Sequence, residues 1–165
     1  MRKEISKDFV LLIITSIASA IGITSLCVDC RPLAWIAIVI SDSYLSFVLL
    51  FAAILSDDDT FATRHPWMTS IFPHRRTAGL FVVGLLLLSI VSGFAGLYVG
   101  AEVFQSSKTP VDALYISLLT LGFTDFSPKP GYGKLVVMGQ LASGILYLVG
   151  AIPLLISRIS TFRSP

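Results

Sequence analysis

The chain has 165 residues, 55% of them hydrophobic and 13% charged, with a mean hydropathy of +0.85. Soluble domains carry about 25% charged residues, so this composition excludes an ordinary water-soluble domain. A formal net charge of +2 without a basic stripe gives no ground for a nucleic-acid partner, and two cysteines are too few for a disulfide framework.

A bilayer core about 30 Å thick needs roughly 20 apolar residues of helix. Four runs qualify, at 9–28, 33–55, 78–101 and 134–156. A weaker apolar run, 111–126, lies between the third and fourth and is too short to cross as a helix. The sequence therefore predicts an all-α membrane protein: four transmembrane helices, with a re-entrant short helix and loop between the last two. Residues 1–56 form a two-helix hairpin, 57–77 a cytoplasmic linker and 78–157 a second helical unit.

The first run has basic residues before it and Ala18-Ser19-Ala20 within it, as a cleaved signal peptide would. It is longer than the 7–15 apolar residues of such peptides and continues past that site, which favours a retained span. Near its end, Cys27 and Cys30 either form a local disulfide, if their side is oxidising, or remain two free thiols. A thioredoxin-like redox site would need a βαβ context that this chain lacks.

In the second run, Asp42 sits near mid-span between Ser41 and Ser43, where a charge costs at least ~2.5 kcal/mol. It serves proton or ion coupling, or it is a protonated carboxyl held by those serines or by a neighbouring helix. Neither of the first two spans carries a ladder of arginines, which argues against a voltage sensor and for a packing hairpin.

The linker holds Asp57-Asp58-Asp59, His65 and His74. The aspartates read as a solvated turn, and the histidines lack further ligands at metal spacing. Trp67, Met68, Ile71 and Phe72 are candidates for the membrane surface, with Pro66 and Pro73 limiting any helix there. With the N-terminus inside, Arg2, Lys3, Lys7, Arg64, Arg75, Arg76, Arg158 and Arg163 share the inner face against Arg31, Lys108, Lys129 and Lys134 outside. The positive-inside rule then puts both termini in the cytoplasm of a multi-pass protein, and the compact chain points to a bacterial inner membrane. In the third span Ser89, Ser92, Gly93, Gly96 and Gly100 form a small-residue stripe suited to close helix packing.

The short run carries the functional signal. Thr109-Pro110-Val111-Asp112 is a helix start, with Thr109 as N-cap, Pro110 at the first helical position and Asp112 closing a capping box. The helix is expected to run about ten residues, ending near Thr120, before Leu121-Gly122-Phe123-Thr124-Asp125 and Ser127-Pro128. Non-helical backbone at membrane depth is tolerated only where protein buries it or where it lines a watery cavity. Gly122 allows a backbone shape that could turn carbonyls toward a common axis.

The stretch Asp112-Ala113-Leu114-Tyr115-Ile116-Ser117, with Thr120-Leu121-Gly122-Phe123-Thr124-Asp125 and Ser127-Pro128, resembles the pore region of the potassium-channel superfamily. The resemblance covers residues 78–156; Gly133-Lys134 and the glycine-bearing last span also fit it. It implies a homotetramer in the lipid bilayer, each chain giving one loop to a shared axis. Carbonyls of Thr120, Leu121, Gly122, Phe123 and Thr124, with the Thr120 hydroxyl, would replace a cation's water shell. Phe123 would brace the filter, and Asp125 would sit at the outer mouth. Gly144, Gly150 and Pro153 would supply a gating hinge in the last span, although Gly144 and Gly150, with Gly139 and Ser143, are equally explained by close packing. The permeant ion would be K⁺ or Na⁺, with no other metal or cofactor and no enzymatic activity; the stimulus and any separate regulatory subunit are not encoded in a recognisable module.

Two departures from the family pattern bear on selectivity. Thr124 stands where the family has its second glycine, and a β-branched residue is costly at positive φ. The interval from Tyr115 to Asp125 is also three residues shorter than in the family. Either the pore helix has lost a turn and 120–124 is a complete filter, or 117–121 is helix and the inner half of the filter is missing. Weakened K⁺/Na⁺ discrimination follows from these departures. Two other functions compete: a non-conducting structural or regulatory subunit that keeps the pore scaffold, and an intramembrane aspartyl protease built on Asp42 and Asp125, whose Gly122-Phe123-Thr124-Asp125 lacks the spanning-helix context such an enzyme needs.

Overall fold

The computed structural model describes residues 2–57, 76–104, 109–121 and 128–156. These form five helices: α1 (Arg2–Val28), α2 (Arg31–Asp57), α3 (Arg76–Gly100), α4 (Pro110–Leu121) and α5 (Tyr132–Ile156). No strand occurs among the described residues. Four helices are long and apolar enough to cross a membrane, and α4, with 12 residues, is the short one between the last two. This is the architecture of an all-α, multi-pass membrane protein. α1 and α5 begin before their apolar runs, at Arg2 and Tyr132, because a helix once nucleated propagates into polar flanks at little cost.

Two helix ends share one device. After α1, Asp29 takes a left-handed conformation (φ 53°) and the Cys30 amide donates to the Ser25 carbonyl at 3.2 Å. After α3, Glu102 does the same (φ 47°) and the Val103 amide donates to the Tyr98 carbonyl at 3.2 Å. Both are six-to-one C-terminal caps that occupy otherwise orphaned carbonyls, here closed by acidic residues rather than glycine. The first cap turns the chain directly into α2.

α3 is the hub. It packs against each of the other four helices, and two-thirds of its spanning window (67%) is buried within the chain, against 33% in each other span. The small-residue stripe makes this approach achievable. A methyl group on Gly93 would stand 2.8 Å from Ile38 Cγ1 and 3.3 Å from the Ala34 carbonyl of α2. One on Gly96 would meet Ser25 of α1, and one on Gly100 would meet Asp29 and Arg31. Hydroxyls then tie the backbones together: Ser19 donates to the Leu85 carbonyl at 2.7 Å, and Ser41 to Ser89 at 2.8 Å. In the apolar interior these bonds satisfy groups that lipid would leave unpaired.

One end of the bundle collects the turns among the described residues. There Arg31 Nε donates to the Gly100 carbonyl at 2.6 Å, the Lys129 amide donates to the Val103 carbonyl at 2.9 Å, and Lys129 pairs with Glu102 at 3.2 Å. The segment that contains α4 thus leaves α3 and rejoins α5 at the same end.

Candidate functional site

α4 starts as its sequence dictates. The Asp112 amide donates to Thr109 Oγ1 at 3.2 Å, and the Thr109 hydroxyl donates to the Asp112 carboxylate at 2.7 Å, with Pro110 opening the helix. The cap uses aspartate in its reciprocal arm, so the two side chains bind each other at the exposed helix start.

From that start α4 runs alongside α3 and α5, and its buried face is Ala113, Ile116, Ser117 and Thr120. A polar knot fixes it. The Ser117 hydroxyl donates to the Val91 carbonyl of α3 at 2.9 Å. Gln140 of α5, fully buried, donates through Nε2 to the Ser117 carbonyl at 2.7 Å and contacts Ser117 Oγ at 2.9 Å. Its Oε1 accepts from the Tyr98 hydroxyl of α3. Tyr98 also packs edge-on against Phe104, with ring centroids 4.9 Å apart. Both polar atoms of the Gln140 amide are thus spent, Nε2 on α4 and Oε1 on α3. Sequence reasoning names Ser117 only within the pore-like stretch and does not single out Gln140 or Tyr98; the available signal is a lone glutamine inside an apolar span.

The far end of α4 bears on the short interval. α4 continues through Leu121, and the Thr120 hydroxyl donates to the Ile116 carbonyl at 2.8 Å, one turn back along its own helix. Of the two readings of the short interval, the structure has 117–121 as helix. Thr120 and Leu121 are thus helical, and Leu121 is the last described residue of α4. Helix geometry leaves the last four carbonyls of α4, through Leu121, without intrahelical donors and pointed along the axis. The partial negative charge of the macrodipole collects there. Gly122, Phe123, Thr124 and Asp125 lie outside the described residues, as do Asp58, Asp59, His65, His74 and the rest of 58–75.

Three rulers place that end. A helix of 12 residues is about 18 Å long. A methyl on Gly144 would touch Leu121 Cδ2 at 2.8 Å, and Gly144 lies about 18 Å along α5 from Tyr132. Val91, which binds Ser117, lies about 14 Å from Gly100 along α3. Gly144 thus faces the end of α4, whereas Gly150 packs against Leu45 and Leu49 of α2, and α5 runs unbroken through Gly144, Gly150 and Pro153.

Asp42 lies at the same level, about 16 Å along α2 from Arg31. The Ser143 hydroxyl of α5 donates to its Oδ2 at 2.6 Å, and its Oδ1 is buried with no hydrogen-bond partner. The flanking serines do not hold it. Ser41 is committed to the Ala37 carbonyl and Ser89, and Ser43 is exposed. Asp42 is thus gripped by the neighbouring helix, one of the alternatives its position allowed. Cys27 and Cys30 are free thiols, and the described residues hold no group of three metal-ligating side chains.

No family model, curated protein or solved structure matches this chain. The functional reading therefore rests on residues and geometry.

Proposed function

We propose that the chain is the pore-forming subunit of a tetrameric cation channel, with both termini cytoplasmic in a bacterial inner membrane. The observation that carries this reading is α4: a capped 12-residue helix that leaves and rejoins the bundle at one end and stops about half-way along two spanning helices. A re-entrant pore helix would have this shape. Its carbonyl end, carrying the macrodipole's negative pole at mid-depth, favours a cation there. The glycine-centred stretch 122–125 follows immediately.

The exposed surface supports a shared axis. α4 turns Val111, Tyr115 and Leu118 outward, at 73%, 62% and 55% exposure, and α5 turns out Leu135, Met138, Ile145 and Val149. In a ring of four copies these faces pack against neighbours and line the inner cavity, while α1 and α2 brace the outside.

With 120–121 helical, the permeant ion meets a short filter: the carbonyls of Gly122, Phe123 and Thr124, backed by the open carbonyls of α4. Fewer coordinating layers replace less of the hydration shell, so the pore passes K⁺ with weak discrimination against Na⁺. Reversal potentials of the purified protein in planar bilayers, under opposed K⁺ and Na⁺ gradients, test this. The expected result is a cation current with a small shift on exchanging the ions; a large, K⁺-selective shift removes the short-filter argument. The same short filter favours a second reading, a non-conducting subunit that keeps the scaffold. Absence of flux from a verified tetramer would establish it.

A further inference from the structure

Asp42 combines features that packing alone does not need. It is a carboxyl at mid-span, joined to the helix that would line the pore by one bond of 2.6 Å, with its second oxygen buried and unpartnered. An ionised carboxylate in that position would leave an acceptor unsatisfied in a low-dielectric interior, where such groups are most costly. A proton removes the charge and keeps the tie. A hydroxyl both donates and accepts, so Ser143 can take a hydrogen bond from a protonated Oδ2 and turn its own hydrogen to a helix carbonyl one turn back.

Among the described residues, no nearby charge offers another way to neutralise it. The helices packed against α2 are α1, α3 and α5. The titratable groups that the described parts of α2, α3 and α5 bring inside the bundle are Tyr44, Tyr98 and Tyr147; Tyr98 is bonded to Gln140, and Tyr147 donates to the Val83 carbonyl at 3.2 Å. Asp8 and Cys27 lie toward the ends of α1, and Arg31 and Lys134 at the starts of α2 and α5. Beside the carboxyl, a groove of about 430 Å³ opens on the outer face of α2, lined by Trp35, Val39, Asp42, Ser43, Ser46 and Phe47. Besides Asp42, its polar lining is the hydroxyls of Ser43 and Ser46, which can hold a water beside the carboxyl.

We propose that Asp42 is a proton-binding site that latches the α1–α2 hairpin to α5. Protonated, its Oδ2 hydroxyl donates to Ser143 Oγ across the same 2.6 Å. On loss of the proton to water in the groove, the carboxylate leaves Ser143 and turns toward that water and toward Ser46, one turn on along α2, and α5 is released from α2. Ser143 adjoins Gly144, which meets Leu121 at the end of α4, so release is felt where the cation would bind. The consequence for conduction rests on the channel reading; the proton site and the helix separation do not.

The experiment therefore reads the carboxyl and the helices first and the flux second. Full-length protein in liposomes is examined by infrared difference spectroscopy across pH, in H₂O and D₂O. In parallel, spin labels on the exposed positions Val39 and Leu148 report the α2–α5 distance. The expected result is a protonated-carboxyl band that disappears on alkalinisation together with a lengthening of that distance. In Asp42→Asn the band is lost and the distance no longer responds to pH. In Ser143→Ala, which tests the idea even if Asp42→Asn does not fold, the band persists at a shifted frequency and the distance is long at every pH. Absence of an Asp42-dependent band, or a band that titrates without any distance change, overturns the proposal. Cation flux is then measured on the same vesicles, with an about tenfold change expected between the two pH limits, the worth of one such hydrogen bond. A titrating band and distance with no flux at any pH would leave the latch standing and sink the channel reading; pH-independent flux without the band would do the reverse.

Discussion

α3 and α5 are both apolar spanning helices of 25 residues, yet the chain treats them oppositely. α3 is buried over two-thirds of its window and touches every other helix, with glycines and serines where backbones approach. α5 is buried over one-third, and it puts its inward polar residues, Gln140 and Ser143, on α4 and α2 while turning a row of large apolar side chains out. The difference separates two jobs. α3 closes the fold of one chain; α5 is held at two points and leaves a face for something outside it.

Substitutions can break this contrast in order of effect. Gly93→Val should be the most damaging, because the new side chain meets Ile38 Cγ1 and the Ala34 carbonyl, and the backbone oxygen cannot move aside. A loss of about 3 kcal/mol is expected from such overpacking, read as an early thermal transition in detergent. The matched change on α5, Gly139→Ala, should be nearly silent, since its methyl would stand 3.8 Å from Phe94 Cε1, an ordinary contact. Equal damage from both would refute the division of labour.

Gln140→Leu comes next. It removes the bonds that Gln140 makes to Ser117 of α4 and accepts from Tyr98 of α3, and should cost about 1–2 kcal/mol. Faster amide exchange in α4 than in α3 would locate the loss. Gly144→Ala should follow with less than about 1 kcal/mol, because the atom it meets is the mobile end of Leu121. Its larger signature would be in single-channel conductance, as the end of α4 is displaced.

The smallest effect on stability should come from cysteines at Met138 and Ile145, both exposed on α5. Surface changes of this kind usually fall within about 0.5 kcal/mol. Oxidative cross-linking ladders that stop at four chains would sharpen the comparison by showing what covers that face; a ladder that stops at two would discard the four-fold ring.

The spans were legible in the sequence because bilayer thickness imposes a length that few soluble segments imitate. The start of α4 was legible for a local reason: Thr109, Pro110 and Asp112 each make a contact within one turn. Its end was not, since a threonine near a glycine is compatible with either a filter or a last helical turn. Tertiary support from Gln140 on Ser117 favours the longer helix. The partner of Asp42 lies 101 positions away, and no pattern in one sequence announces it. Serines beside it looked like natural partners, but on a helix adjacent residues point about 100° apart, and Ser41 was already committed to α3. The site nearest the family signature, Gly122 to Asp125, belongs to residues the structure does not describe, and its reading remains that of the resemblance.

Asp42, Ser143, Gly144 and the end of α4 lie at one depth, and this has a mechanical consequence. A signal passing from the hairpin to the mouth of α4 travels across the width of a single helix, about 10 Å, rather than along its length. Such a linkage needs no lever arm and no bend in α5: a rotation by a few degrees about its own axis moves Ser143 and Gly144 together. Proteins that transmit over long distances stiffen the path between distant sites, whereas here the two residues that relay it, Ser143 and Gly144, are neighbours in sequence.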